Sequence, residues 1–320
     1  MANSRGSAAG SLAASPSLVR RRPEWQRRWL REEVILGYGL MAPAVLVLLL
    51  LIGYPALSGI WFSFTNKMIG FANPHFVGLD NYANLIQNPG VWKSIGRSLT
   101  FALSSVAVKL PLGLGVALLL NQTFFGRGLV RGVVLLPWSL PLVVGVLIWT
   151  WMYSDLFGIF NSLLMKAHLI AAPINFLGDP KLAMPSVILV NIWRGFPFFA
   201  INLLAGLQAV PEDLYEAARV DGASRWQLFR HITVPGIRTV AMIVTLLSFI
   251  WTINDFTSIW VLTKGGPGTA TEVFTVVTYK IAFIGLEVGR AAALPVMLLP
   301  FFTILIVLLT RSVTAREDET

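Results

Sequence analysis

The stretch "EAARVDGASRWQLFRHITVP", residues 216–235, is rich in charge and turn residues, yet it sits between two long apolar runs. Before it lies "ILVNIWRGFPFFAINLLAGLQAV" (188–210) and after it "GIRTVAMIVTLLSFIWTINDF" (236–256). A polar insert of this kind between two oily runs reads as a structured excursion from a membrane. The rest of the 320-residue chain supports that reading, since 55% of its residues are hydrophobic and only 13% charged. The mean hydropathy of +0.69 exceeds that of ordinary water-soluble domains. The sequence therefore predicts an all-α, polytopic membrane helix bundle.

Six apolar segments are long enough for a hydrocarbon core of about 30 Å, which takes about 20 helical residues. They fall near Leu36–Phe64, Ile95–Leu120, Leu129–Tyr153, Ala183–Ala209, Ile237–Leu262 and Ala291–Thr310. Pro111, Pro137, Pro141, Pro197, Pro295 and Pro300 lie in or near these runs. Each proline frees backbone carbonyls that a neighbouring helix or a wet cavity must satisfy, as in a bundle that lines a pathway. Residues 1–33 are Ser, Ala, Gly and Arg rich and cannot bury a core, so they read as a disordered basic segment up to about Trp25 or Trp29. A secretory signal does not fit, because the apolar run that follows is too long.

The net charge of +9 is dispersed between apolar runs, which speaks for topology rather than nucleic-acid binding. Counted loop by loop, 15 Lys and Arg residues fall on one side and 8 on the other. The richer side holds the N-terminal segment, Arg127, Arg131, the insert and Arg311 with Arg316, so both termini and the insert are expected in the cytoplasm. The loops near 65–94, 154–182 and 263–290 are expected outside, and 313–320 forms a cytoplasmic tail. No cysteine is present, and His75, His168 and His231 are scattered without metal-ligand spacing.

Within the insert, Pro211 suits a first helical position, with Glu212 and Asp213 in the first turn. Asp221-Gly222 marks a stop and a turn, and Ser224 with Gln227 forms a capping-box pattern opening a second short helix that Pro235 closes. Spacing alone leaves two uses open: a loop that caps its own bundle, or a docking knob with Trp226 and Phe229 as anchors. Polar groups inside the apolar runs are functional candidates by default. Ser248, Thr252 and Asp255 share a helical face, Asn191, Arg194 and Asn202 lie near one another, and Trp138, Trp193 and Trp251 offer aromatic faces at similar depth. These groups suit a sugar, or alternatively they glue helices together, with Arg194 pairing Asp255. Lys109 reads as snorkelling or bundle-facing.

The insert resembles the cytoplasmic EAA loop of the membrane-spanning permease subunits of binding-protein-dependent bacterial ABC importers. The matching positions are Glu216, Ala217, Ala218, Asp221, Gly222, Ala223, Phe229, Ile232 and Pro235, with Val234 where leucine is usual. "FVGLDNY" (76–82), "GRGLVRGVVLLPWSLPLVVGVLIW" (126–149), "VNIWRGFPFF" (190–199), "LAGLQAVPEDLYEAA" (204–218), "VLTKGGPGTATE" (261–272) and "AFIGLEVGRAAA" (282–293) resemble the sugar-permease branch. That branch is the maltose-permease larger-subunit or glycerol-phosphate permease type. The resemblance implies an importer transmembrane domain over 34–312 whose loop 211–236 docks into an ATPase subunit. It implies a second homologous permease, two ATPases that bind the ATP and Mg, an extracytoplasmic sugar-binding protein, and an inner-membrane location. It also implies substrate contacts at Trp138, Leu142, Asn191, Arg194, Gly195, Ser248, Thr252 and Asp255. Arg194 stands where the maltose-type relative has an apolar residue and Asp255 where it has a neutral amide. The expected cargo is therefore another di- or oligosaccharide, or a phosphorylated polyol such as glycerol phosphate.

The chain itself has no Gly-rich phosphate loop ending in Lys-Ser or Lys-Thr, so no nucleotide or cofactor is expected on it. An intramembrane transferase would need clustered acids or histidines, and none occur. An ion-coupled secondary transporter would show several buried carboxylates, whereas Asp255 is the one clear acid within the apolar runs.

Overall fold

The computed structural model describes residues 24–71 and 73–317. The chain divides into two compact units, residues 1–58 and 59–320. In the first, helix α1 (Glu24–Leu48) passes through a π-helical turn, Leu49–Gly53, to α2 (Tyr54–Ser63), which ends in the second. The basic segment expected to be disordered is thus helical from Glu24, and residues 1–23 lie outside the described residues. None of the most apolar window of Val34–Ser63 is buried. Such a surface suits lipid or another apolar chain rather than water.

In the second unit the helices are α3 (Asp80–Gln87), α4 (Pro89–Asn121), α5 (Arg127–Ser139), α6 (Leu142–Met152), α7 (Ile159–Lys166) and α8 (Ala183–Ala209). They continue with α9 (Glu212–Val220), α10 (Arg225–Leu228), α11 (Val234–Ile253), α12 (Thr257–Thr263), α13 (Phe274–Tyr279) and α14 (Val288–Glu317). No strand is formed among the described residues. Among the described residues four helices are long and apolar enough to cross a membrane, or five when the bent pair α5 and α6 counts as one. The sixth expected run lies in α14, whose described apolar part is the shorter Val288–Ile304.

Helices α4, α8 and α11 form the centre of this unit. Ala102, Val106, Ala117 and Leu120 of α4 pack with Phe199, Leu203 and Leu207 of α8, and Val244 and Phe249 of α11 join them. Small residues set the approach, as in membrane bundles generally. A Cβ at Gly113 would stand 2.3 Å from the Phe199 Cβ and 3.1 Å from the Ala200 backbone nitrogen, so α4 and α8 cross at backbone contact. A second cluster joins Val146 and Trp149 of α6 to Val187 and Val190 of α8, with Ile259 of α12 and Val276 of α13.

Three expected elements differ. The run Leu129–Tyr153 is not one span: α5 and α6 meet at a bend of 93°. Leu140, the residue before Pro141, is extended at φ −69°, ψ 140°, and Pro141 follows at φ −53°, ψ 131°. A proline pushes its predecessor out of the helical region and cannot donate to the carbonyl four residues back. The run Ile237–Leu262 also breaks, since α11 ends at Ile253 and Leu262 belongs to α12. Pro235 does not close a short helix either. A π-helical turn, Phe229–Thr233, carries α10 into α11, with the Val234 N–H donating to the Phe229 carbonyl. The wider turn accommodates the missing donor of Pro235, so the insert and the apolar helix are continuous.

Candidate functional site

A cavity of about 310 Å³ opens among α4, α5, α6, α8, α11 and the break that precedes α12. Trp138 reaches it from the last turn of α5 and Leu142 from the first turn of α6, so the Leu140-Pro141 bend is what lets both line one space. Helix α8 contributes Asn191, Arg194, Gly195 and Phe198, spaced i, i+3, i+4 and i+7 along a single face. Helix α11 contributes Ser248, Trp251 and Thr252, and the break adds Asn254, Asp255 and Phe256.

The break is stabilised locally by side chains. Asn254 Nδ2 donates to the Ile250 carbonyl at 2.8 Å, and Asp255 Oδ1 accepts from the Ser258 N–H at 3.0 Å, satisfying a donor in the first turn of α12. The other carboxylate oxygen of Asp255 accepts from Asn191 Nδ2 at 3.1 Å. Asn191 Oδ1 in turn accepts from Lys109 Nζ, which also donates to Thr252 Oγ1 at 3.0 Å. Asn191 thus bridges a cation and an anion, and donor and acceptor chemistry allows its amide only this orientation. Gly195 makes room for the lysine: a Cβ there would stand 2.5 Å from Lys109 Cε and 2.8 Å from its Nζ.

All eight expected contact positions, Trp138, Leu142, Asn191, Arg194, Gly195, Ser248, Thr252 and Asp255, line this one cavity. Trp251 lines it as well, but two other expected members do not. Trp193 packs edge-on against Trp149 with ring centres 5.6 Å apart, because it lies two residues from Asn191 and faces another way round α8. Asn202 donates to the Phe198 carbonyl of its own helix at 2.7 Å. Arg194 and Asp255 do not pair. Among the described residues the ion pairs are Lys280–Glu272 and Arg290–Glu287, and Arg194 Nε is buried without a partner. Lys109 does not snorkel, being only 2% exposed. It faces the bundle, the other of the two expected placements, and lines the cavity from there. Phe198 carried a signal, the helical spacing from Asn191, whereas Phe256 and Thr257 enter through a break that periodicity does not reveal.

The insert forms a second feature. Helix α9 ends at Val220 with Asp221 as its C-cap, Gly222 turns at φ +81°, and Ser224 and Gln227 form a reciprocal capping box. Pro211 is the residue before α9 rather than within it. Tyr215 of α9 lies 3.1 Å, hydroxyl to hydroxyl, from Thr233, which ties α9 to the π-helical turn that follows α10. Glu216, Ala217, Asp221 and Gly222 are exposed, while Ala218, Ala223, Phe229 and Ile232 are half-buried. Trp226 stacks on Phe229 with centroids 5.5 Å apart and remains exposed. Ile232 and Pro235 line a further cavity of about 470 Å³ with Pro211, Leu214 and His231 at the foot of the insert.

Membrane-length helices around a polar, charged central cavity, with an exposed helical insert, define a transport subunit by class. Residues 109–316 match the family described as binding-protein-dependent transport system inner membrane component. The chain is 36% identical over 265 residues to the trehalose/maltose transport system permease protein MalF of Thermococcus litoralis, covering 83% of this chain and 89% of that one. It is 35% identical to the inner membrane ABC transporter permease protein YcjO of Escherichia coli, covering 85% and 92%. It is 32% identical to the sulfoquinovosyl glycerol transport system permease protein SmoG of Agrobacterium fabrum, covering 86% and 89%. A chain from the crystal structure of a bacterial ABC transporter that imports alginate has the same fold, with a TM-score of 0.78, 23% identity, and coverage of 90% and 99%. The protein belongs to the family of binding-protein-dependent ABC transporter inner-membrane permeases.

Proposed function

We propose that this chain is the translocation subunit of an ATP-driven importer that moves a sugar, of di- or oligosaccharide size, into the cell. The observation that carries the reading is the convergence of the eight cavity positions from four helices and one helix break on a single space of about 310 Å³. It combines two tryptophan faces with amide, hydroxyl and charged groups, the mixture that a polyhydroxylated ring requires. The names of the relatives MalF and SmoG, both carriers of sugar compounds, favour the same class.

In this reading the bundle provides the path and separate ATPase subunits provide the work. The insert 211–236 faces the cytoplasm, as the excess of Lys and Arg on its side favours, and presents Glu216, Ala217 and the exposed Trp226 to an ATPase cleft. Phe229, Ile232 and Pro235 connect that surface to α11 through the continuous π-helical turn. A displacement received at α9 and α10 is thus delivered along α11 to Ser248, Thr252 and Asp255. Rocking of packed helices about the α4–α8 crossing then alternates access to the cavity. A second permease completes the pathway and an extracytoplasmic binding protein delivers the cargo.

The test is ATPase activity and uptake by the complex reconstituted with its ATPases, partner permease and binding protein, across a panel of di- and oligosaccharides. Stimulation of both by a sugar is expected. An intact complex that no sugar stimulates would overturn the reading.

A further inference from the structure

Resting on the reading of the central cavity as a sugar site, we propose that the cargo carries one anionic substituent and that Arg194 receives it. Three ionisable side chains line the cavity: Lys109, Arg194 and Asp255. Two of them are already committed to each other. Both oxygens of Asp255 are occupied, by Asn191 Nδ2 at 3.1 Å and the Ser258 N–H at 3.0 Å. Lys109 spends its ammonium on Asn191 Oδ1 and on Thr252 Oγ1 at 3.0 Å. Through the Asn191 amide, cation and anion form one internal unit whose charges cancel.

Arg194 stands outside that unit. Its Nε is buried and unpartnered among the described residues, and it belongs to neither described ion pair. With Lys109 and Asp255 offsetting each other, Arg194 gives the cavity lining one positive charge in excess. Arg194 is half-buried, so its charge is only partly solvated, and a neutral sugar brings nothing to compensate it. A carboxylate, sulfonate or phosphate matches the planar fork in bidentate fashion. The faces of Trp138 and Trp251 in the same cavity specify that this anion comes attached to a ring rather than free. Lys109 is accordingly a positioning residue: it neutralises Asp255 and leaves Arg194 as the charge the cargo meets.

The experiment uses the reconstituted complex with its binding protein and four probes: a neutral disaccharide, a disaccharide ending in a uronic acid, a sulfated disaccharide, and glycerol 3-phosphate. Half-saturating concentrations for stimulated ATPase and uptake are compared for the native chain, Arg194→Gln and Arg194→Lys. The acidic sugars are expected to stimulate well above the neutral one. Arg194→Gln should raise the half-saturating concentration about 10- to 100-fold, as loss of a charged hydrogen-bond partner implies, and Arg194→Lys should recover part of that. Stimulation by the neutral disaccharide alone would overturn the anion site and leave the sugar reading standing, whether or not either variant assembles. Equal response of native and Arg194→Gln complexes to an acidic sugar would also overturn it. Response to glycerol 3-phosphate alone would uphold the anion site and overturn the sugar reading, whereas no response to any probe would overturn both.

Discussion

Lys109 of α4 is buried against α8, and its ammonium is held by directional hydrogen bonds. Its hydrogen bonds to Asn191 and Thr252 tie α4 to α8 and α11, and Asn191 passes the link to Asp255. Lys109→Met should therefore destabilise the purified complex by about 1–3 kcal/mol, the cost of stranding buried polar partners. Adding Asp255→Asn should restore part of the loss, because the anion left behind would also be gone. Thermal unfolding of both single variants and the double variant measures this, and strictly additive shifts would mean that Asn191 does not couple the two. Gly195→Ala tests the same contact from the other side. A Cβ 2.5 Å from Lys109 Cε must push the ammonium off its acceptors. The expected outcome is a lower unfolding temperature, equivalent to about 1–3 kcal/mol of overpacking, together with weaker uptake. Sequence reading found Asn191, Thr252 and Asp255 because polar residues are conspicuous in apolar runs. It assigned Arg194 to Asp255 as one alternative, since opposite charges at similar depth suggest a pair. The geometry instead gives Asp255 to Asn191, which no spacing along the chain reveals.

At the level of elements, the informative positions are those where a helix stops or changes pitch. The Leu140-Pro141 bend and the Asn254–Phe256 break both admit polar or aromatic groups to the cavity, and both interrupt runs whose hydropathy is continuous. Prolines in apolar runs announce such places but not their angle, because neighbours decide whether a helix kinks or breaks. The insert was more legible, since its stops and starts are local chemistry. The Gly222 turn and the Ser224–Gln227 capping box appear as their residues require. Ser224→Ala should cost about 1 kcal/mol of local stability and speed amide exchange at Gln227 and Leu228 without altering the bundle. Glu216→Ala removes an exposed group and should leave folding intact. In the reconstituted complex it is expected to leave ATP hydrolysis largely unresponsive to cargo. Hydrolysis that remains fully cargo-stimulated would argue for a loop that only caps its own bundle.

At the scale of the whole molecule, topology is open to a direct check because the chain has no cysteine. Single-cysteine variants then report orientation without background. Ser224→Cys should react with an impermeant maleimide only in inside-out vesicles, and Thr269→Cys only in intact spheroplasts, if the insert is cytoplasmic and the 263–290 loop external. Reversed labelling would invert the topology and remove the insert from the reach of an ATPase. What the amino-acid sequence by itself determined is the helical membrane class, the six apolar runs, the turn and cap chemistry of the insert, and the residue types gathered at the site. These follow from hydropathy, backbone preferences and local hydrogen bonding, all of which act over a few residues. Only the tertiary structure decided that α4 and α8 cross at Gly113, that Lys109 answers Asp255 through Asn191, and that Arg194 is left facing the cavity. Those outcomes depend on which side chains from distant segments compete for the same buried partner, and that competition is resolved in space rather than along the chain.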